Sequence, residues 1–105
     1  MTPEGKVKKA LKKWLDERGY YYFMPVPTGR GRRTVDFLVC MEGTFVAIEA
    51  KATHDAMVTA LQDATLKKVA SAGGNALVVY FDAKDELVFQ SVKVKRTLDA
   101  LRQGA

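Results

Sequence analysis

Apolar residues recur at the spacing of one helix face in two stretches of the chain. The first stretch carries them at Val7, Ala10, Leu11, Trp14 and Leu15. Thr2 and Pro3 are typical of a helix start, and Gly19 is typical of a helix end. The other face of this helix is filled by lysines, at Lys6, Lys8, Lys9, Lys12 and Lys13. The second helix is predicted from about residue 56 to residue 72, closed by Gly73-Gly74.

Segments rich in aromatic and β-branched residues predict strands between and after these helices. They are residues 20–24, the two arms of a hairpin within residues 35–51, residues 75–81 and residues 87–92. The run NALVVYF at 75–81 is typical of a strand buried on both faces, and 87–92 is predicted to be an edge strand. Val94, Leu98 and Leu101 predict a final short helix. The predicted class is α/β, with the order α-β-β-β-α-β-β-α, and 105 residues suit a single domain over 1–105.

The hairpin reads VDFLVCMEGTFVAIEAK and places charged residues among apolar ones. A two-residue turn at Glu42-Gly43 suits this segment, because glycine readily adopts positive φ. That turn would pair Asp36 with Glu49 across the two strands, with Cβ atoms about 4.5–5.5 Å apart. Lys51 follows Glu49 by two residues and is expected on the same face. The other face is expected to be apolar and to carry Val35, Phe37, Val39, Val46 and Ile48.

Two carboxylates opposite each other are destabilising unless a positive charge compensates them. Lys51 supplies one such charge, and a divalent cation would supply the rest. Hard oxygen ligands of this kind favour Mg²⁺ or Mn²⁺. The alternative is a structural network of ion pairs among Asp36, Glu49 and Lys51. Apolar neighbours on both faces favour a metal site over this network. Removing either carboxylate is expected to relieve the repulsion between Asp36 and Glu49 in the metal-free protein.

Two further polar residues lie on the apolar stripes of the predicted helices. Glu4 precedes Val7 by three residues and so continues the inward face of the first helix. The alternative is that Glu4 only interacts with the helix dipole, which favours acids in any first turn. Gln62 lies four residues from Val58 and from Leu66. It is either a site residue or an amide at the edge of the core that is bonded to the backbone.

Composition adds a bias towards polyanions. Lysine and arginine number 17 against 12 acidic residues, for a net charge of +5, which favours a partner such as nucleic acid. The single cysteine, Cys40, is expected to be a small buried residue. The sequence has no apolar run for a membrane span or a signal peptide, so an intracellular, cytoplasmic protein is expected. It has no P-loop and no zinc cluster, and the lone His54 is expected at the surface.

The ordered set Glu4, Val35-Asp36, Glu49-Ala50-Lys51 and Gln62 resembles the PD-(D/E)xK nuclease superfamily. The likeness is best to its VRR-NUC branch, especially the short stand-alone members from bacterial viruses, and covers roughly residues 2–81. One departure is visible, because the family usually has proline where this chain has Val35; a stiff residue is lost but no ligand. The resemblance implies a restriction-endonuclease-like fold with a mixed central sheet. It also implies a metal-dependent endodeoxyribonuclease, which hydrolyses phosphodiester bonds.

The same resemblance implies a role for each residue of the motif. Asp36, Glu49 and the backbone carbonyl of Ala50 would hold the Mg²⁺ or Mn²⁺ ion, and Glu4 would complete the site directly or through water. Lys51 would orient or deprotonate the attacking water, or neutralise the phosphate. The physical chemistry agrees, because a bound cation activates water and offsets phosphate charge. Gln62 is implied near the lysine, where it would position water or substrate.

The substrate is expected to be DNA. Phosphate contacts are predicted for Arg30, Arg32 and Arg33, on a loop whose glycines allow close approach, and for Lys6 and Lys9. The alternative is that these residues are only solvated. The family resemblance implies branched DNA such as four-way (Holliday) junctions, and a homodimer. Other functions left open are a nuclease without junction preference (nicking or end-processing), a catalytically silent DNA-binding module, and a hydrolase of small phosphates.

Overall fold

The computed structural model describes residues 1–26 and 35–92, which form a five-stranded sheet with a helix on each face. The elements are α1 (Pro3–Glu17), β1 (Tyr21–Phe23), β2 (Phe37–Met41), β3 (Thr44–Ala50), α2 (Ala60–Ser71), β4 (Asn75–Phe81) and β5 (Leu87–Ser91). The predicted α/β class and the order of these seven elements are confirmed. The predicted final helix at Val94, Leu98 and Leu101 lies outside the described residues.

The sheet is mixed, with its strands in chain order from β1 to β5. Three pairings are antiparallel, and β3 runs parallel to β4 through the crossover that contains α2. The hairpin register is as predicted, with Met41 opposite Thr44 and Phe37 opposite Ile48. Glu42 and Gly43 both have positive φ, as a type I′ turn requires. The turn therefore fixes which residues of β2 and β3 face each other.

The helix α1 covers one face of the sheet. Thr2 caps it, because its Oγ1 accepts from the Gly5 N–H at 3.0 Å, and Pro3 lies in the first turn. Its inward stripe of Val7, Leu11 and Leu15 is fully buried. Burying an aliphatic side chain of this size contributes about 1.5–3 kcal/mol. This stripe packs on side chains of β2, β3 and β4, which are Phe37, Val39, Val46, Ile48, Ala50 and Val79.

The helix α2 covers the other face and begins four residues later than the sequence pattern suggested. Thr59 is its N-cap, and Gln62 completes a capping box, so the chain enters the helix only at Ala60. Leu66 packs against Ala47 and Ala76 of the two parallel strands. Neither helix within residues 1–26 and 35–92 is long and apolar enough to cross a lipid bilayer.

Part of the sheet on the α2 side is uncovered by the described residues. The helix α2 packs on β3 and β4, whereas β1, β2 and the first residues of β3 leave four side chains exposed there. Tyr21, Cys40 and Phe45 form one row across three strands, and Phe23 lies two residues from Tyr21 on the same face. We call these four residues the apolar patch. The expectation that Cys40 is buried is therefore wrong, because no described helix reaches its part of the sheet.

Candidate active site

Five polar residues meet at the carboxyl end of β3. Glu49 and Lys51 come from the end of that strand, Asp36 comes from the bend just before β2, and Glu4 and Gln62 come from the first turns of the two helices. In open α/β sheets, ligand sites lie outside the carboxyl ends of the strands. The fold thus brings together the residues that the sequence analysis selected. We refer to these five residues as the site.

Asp36 is fixed by two contacts. Its Oδ2 accepts from the Ala50 N–H at 2.9 Å, and its Oδ1 lies 3.1 Å from Lys8 Nζ. It lies next to Glu49, one step beyond the Phe37–Ile48 pair. The chain bends here, so Val35 packs into the α2-side cluster with Ala47 and not on the Phe37 face, where the alternation had placed it. The alternation is lost at Val35 because β2 begins only at Phe37.

Glu49 is the most constrained member of the site. It is 1% exposed, and its Oε2 has no hydrogen-bond partner among the described residues. Burial, followed by the hydrogen bond and charge of Asp36, raises the pKa of Glu49 to about 9, although Lys51 opposes the shift. A metal-free site therefore holds a proton on Glu49 at neutral pH. The repulsion anticipated from the sequence is relieved in this state by protonation.

Lys51 is buried and is held by Gln62. Its Nζ donates to Gln62 Oε1 at 3.2 Å and lies 3.9 Å from Glu4 Oε1. The same Oε1 accepts from the Thr59 N–H at 3.1 Å. Gln62 is therefore bonded to the backbone, as one of the two sequence alternatives proposed, and it is also the neighbour of Lys51. Glu4 likewise occupies the first turn of α1 and contacts a site residue.

Lys8 belongs to the surroundings of the site, although the sequence pattern predicted it only on the polar face of the first helix. In the structure Lys8 Nζ lies between two site carboxylates, at 3.1 Å from Asp36 and 4.0 Å from Glu4. The i, i+4 spacing of Glu4 and Lys8 was a visible signal. That spacing could not identify Asp36 as a second partner, because this contact depends on how α1 crosses the sheet.

The chemistry of the site fits a cation with few protein ligands. Among the described residues no group of three or more His, Cys, Asp and Glu side chains is arranged to hold a metal ion. Asp36 and Glu49 nevertheless offer adjacent carboxylates, and the unpartnered Glu49 oxygen is costly to bury without a proton or a cation. Mg²⁺ commonly takes one or two carboxylates and retains several waters. The donor set therefore suits Mg²⁺ or Mn²⁺, which retain water ligands, better than a metal ion that needs all of its ligands from the protein.

The predicted phosphate contacts divide into two groups. Lys6 and Lys9 are exposed on α1 and line, with Met1, Ala10 and Lys13, an open groove of about 480 Å³. Arg30, Arg32 and Arg33 lie outside the described residues, which stop at 26 and resume at 35. The basic surface that can be located is thus on α1, whose first turn contributes Glu4 to the site.

Comparison with known proteins does not assign the chain to a family. No protein-family model matches the chain, and no curated protein matches it. Any function proposed for it therefore depends on its own residues and their geometry.

Proposed function

We propose that the chain is a metal-dependent DNA endonuclease of the PD-(D/E)xK type, close to the VRR-NUC branch and with a restriction-endonuclease-like fold. One observation carries this proposal: Asp36, a buried Glu49 with an unpartnered oxygen, and a buried Lys51 held by Gln62 meet at the end of β3. A hydrolase for phosphodiesters needs oxygen ligands for a cation beside a fixed positive charge. The mixed sheet is compatible with this fold.

In this function the two acids have a shared task. Asp36 and Glu49 would hold Mg²⁺ or Mn²⁺, with the Ala50 carbonyl and Glu4 as further oxygen donors. When bound, the cation supplies Lewis-acid activation of water and offsets charge on the phosphate. Loading the site requires Glu49 to lose its proton, because a carboxylate ligates in its ionised form.

Lys51 is the fixed positive charge of the site. Its ammonium is oriented by Gln62 Oε1 at 3.2 Å, so it can orient water or neutralise the phosphate without prior rearrangement. The N-termini of α1 and α2 also meet at this edge of the sheet. Their partial positive charges favour an anionic phosphodiester there. The surface lysines of α1, including Lys6 and Lys9, would then contact flanking phosphates.

The burial of Glu49 favours an enzyme over a catalytically silent DNA-binding module. Binding to phosphates needs surface cations alone, whereas this chain buries an acid beside a second acid. A hydrolase of small phosphates would share the site, but the exposed lysine face of α1 suits a long polyanion better. A nuclease without junction preference, acting by nicking or end-processing, remains the second candidate.

Preference for four-way junctions and a homodimer belong together in this proposal, because a two-fold junction needs two symmetry-related sites. The apolar patch offers a surface for a second copy, since exposed groups of large apolar side chains often mark interaction sites. Light scattering after size-exclusion chromatography tests this. We expect a mass twice the 11.6 kDa of one chain, whereas a stable monomer at working concentration would remove the dimer.

Cleavage of labelled DNA tests the function. We expect symmetric nicks in a four-way junction with Mg²⁺ or Mn²⁺, and none in EDTA. Flap, fork, single-strand and linear duplex substrates measure the preference. Asp36→Asn should abolish cutting while keeping an oxygen for the Ala50 N–H, and Lys51→Ala should abolish it as well. Asp63→Asn, a half-exposed acid paired with Lys67 on α2, is the matched control and should cut normally.

Each outcome decides between functions. Equal cutting of all substrates would retain the nuclease and remove the junction preference. DNA binding without cutting, in every metal, would favour the silent binding module. Full activity of the Asp36→Asn variant would remove that residue from the mechanism.

A further inference from the structure

A second groove adjoins the site at the carboxyl end of β4. It is open, has a volume of about 590 Å³, and is lined by residues of the connection after β3 and of the β4–β5 hairpin. Ala50 lies opposite Val79 in the parallel pair, so one further step places Lys51 beside Tyr80. Both side chains point to the α2 face of the sheet. The groove therefore begins next to the lysine of the site.

Two aromatic rings form one wall of this groove. The ring centroids of His54 and Tyr80 are 6.1 Å apart, and the ring planes are tilted by 51°. The Tyr80 hydroxyl donates to Gln90 Oε1 at 3.3 Å, which helps to fix that ring. His54 is exposed, as predicted, and the fold places its ring beside Tyr80 at the mouth of the groove. Nucleobases stack on aromatic faces of this kind, whatever their sequence.

The charges around the groove separate bases from phosphates. Asp55 and Asp82 line it, so a phosphate would be repelled there. The Asp55 carboxylate accepts from the Thr53 hydroxyl at 2.6 Å, and this bond lowers the pKa of Asp55. An ionised acceptor suits the N–H groups on a base edge. Lys51 does not line the groove but lies in the site, held by Gln62, and its positive charge favours a phosphodiester there.

We propose that the groove formed by Thr53, His54 and Tyr80 binds the nucleobase next to the phosphodiester that is cut. The base stacks on the ring of His54, against which the tilted ring of Tyr80 lies, while its phosphate lies over Lys51. This inference deepens the proposed function and rests on it, because only a nuclease has a cut bond beside the bound base. Base binding in the groove can be measured separately from cleavage.

Stacking is measured with 2-aminopurine, whose fluorescence is quenched when it stacks on an aromatic ring. Wild-type protein in EDTA is titrated into 12-nucleotide single strands and four-way junctions that carry the probe at successive positions. We expect quenching at one position or two. His54→Ala should lose it and weaken binding about 5- to 150-fold, the range for one stacked base. Tyr80→Phe should retain the quenching, because the ring remains.

Met57→Ala is the matched control. Met57 is exposed on the same connection but does not line the groove, so this variant should quench and bind as the wild type does. Absence of quenching at all positions, or equal quenching by His54→Ala and the wild type, would overturn the subsite.

Cleavage then links the groove to the reaction. A substrate that lacks the base beside the cut bond should raise KM for the wild type, with no further rise when His54→Ala is added. Independent, additive effects would overturn the placement of the base. If the wild type cuts no DNA, the proposed nuclease fails, and the quenching result still decides whether the groove binds bases.

Discussion

Replacing Glu49 by glutamine removes the ionisable group from a buried position and preserves its shape. In the folded, metal-free protein the pKa of Glu49 is raised to about 9 by burial and by Asp36, with Lys51 opposing and Glu4 adding to the shift. In the unfolded chain the ordinary value of 4.5 applies. Between these two values the folded state binds one more proton than the unfolded state. The free energy of unfolding must therefore fall as the pH rises through this window.

The decrease of the unfolding free energy with pH has an upper limit. One proton of difference corresponds to about 1.4 kcal/mol per pH unit, so this group can remove up to about 3 kcal/mol between pH 6 and pH 8. That is a large part of the total stability of a small domain, about 5–15 kcal/mol. The Glu49→Gln variant has no proton to hold. We expect it to be more stable than the wild type at pH 8, with an advantage that shrinks as the pH falls towards 5.

Urea unfolding in EDTA measures this, with the single Trp14 as the fluorescent probe. The quantity to compare is the difference in unfolding free energy between variant and wild type at pH 6, 7 and 8, because other titrating groups cancel in it. Glu17→Gln, an exposed acid near the end of α1, is the control and should give a difference that does not depend on pH. Parallel pH profiles for Glu49→Gln and the wild type would refute the reasoning, because Glu49 would then be ionised in the folded protein.

Three further substitutions test the contacts of the site and its support. Gln62→Ala should lower the free energy of unfolding by about 1–2 kcal/mol, since it removes the side-chain half of the capping box and the acceptor of Lys51. Gln62→Glu retains both contacts and should restore stability in thermal melts. Asp36→Ala should destabilise the metal-free protein by about 1–3 kcal/mol in urea, because it leaves a backbone N–H without its acceptor; a gain in stability would contradict this. Gly74→Ala should cost about 1–3 kcal/mol, because a Cβ there would lie 2.8 Å from a β3 carbonyl oxygen. Ser71→Ala, at the exposed end of α2, should change stability by less than about 0.5 kcal/mol.

The hairpin was predictable because its information is local. The Glu42-Gly43 turn sets the register, and the register alone brings Asp36 beside Glu49. The contacts of Asp36 lead to a different prediction about removing one member of that pair. Removing the Asp36 carboxylate should lower the free energy of unfolding, since this group accepts a hydrogen bond from the Ala50 N–H and pairs with Lys8. The repulsion between Asp36 and Glu49 concerns two groups, whereas the change in stability on substituting Asp36 depends on every group that it contacts.

Features that depend on tertiary placement were not predictable. The start of α2 is a different case, because the Thr59–Gln62 capping box that determines it is local, and the start was placed too early only because Val58 fits the helical spacing. The exposure of Cys40 follows from how far α2 extends over the sheet, which no local pattern records. The aromatic wall beside Lys51 likewise arises only when the chain after β3 returns over Tyr80.

The shared oxygen of Gln62 has a consequence for how activity responds to heat. The Gln62 Oε1 accepts hydrogen bonds from both the Lys51 ammonium and the Thr59 N–H. The first turn of α2 therefore has to be formed for the lysine to be held in place. Helix ends fray at free energies well below that of global unfolding. Each fraying event would release the lysine while the sheet stays intact. Warming should therefore deplete the competent fraction of molecules, reversibly, before the domain melts.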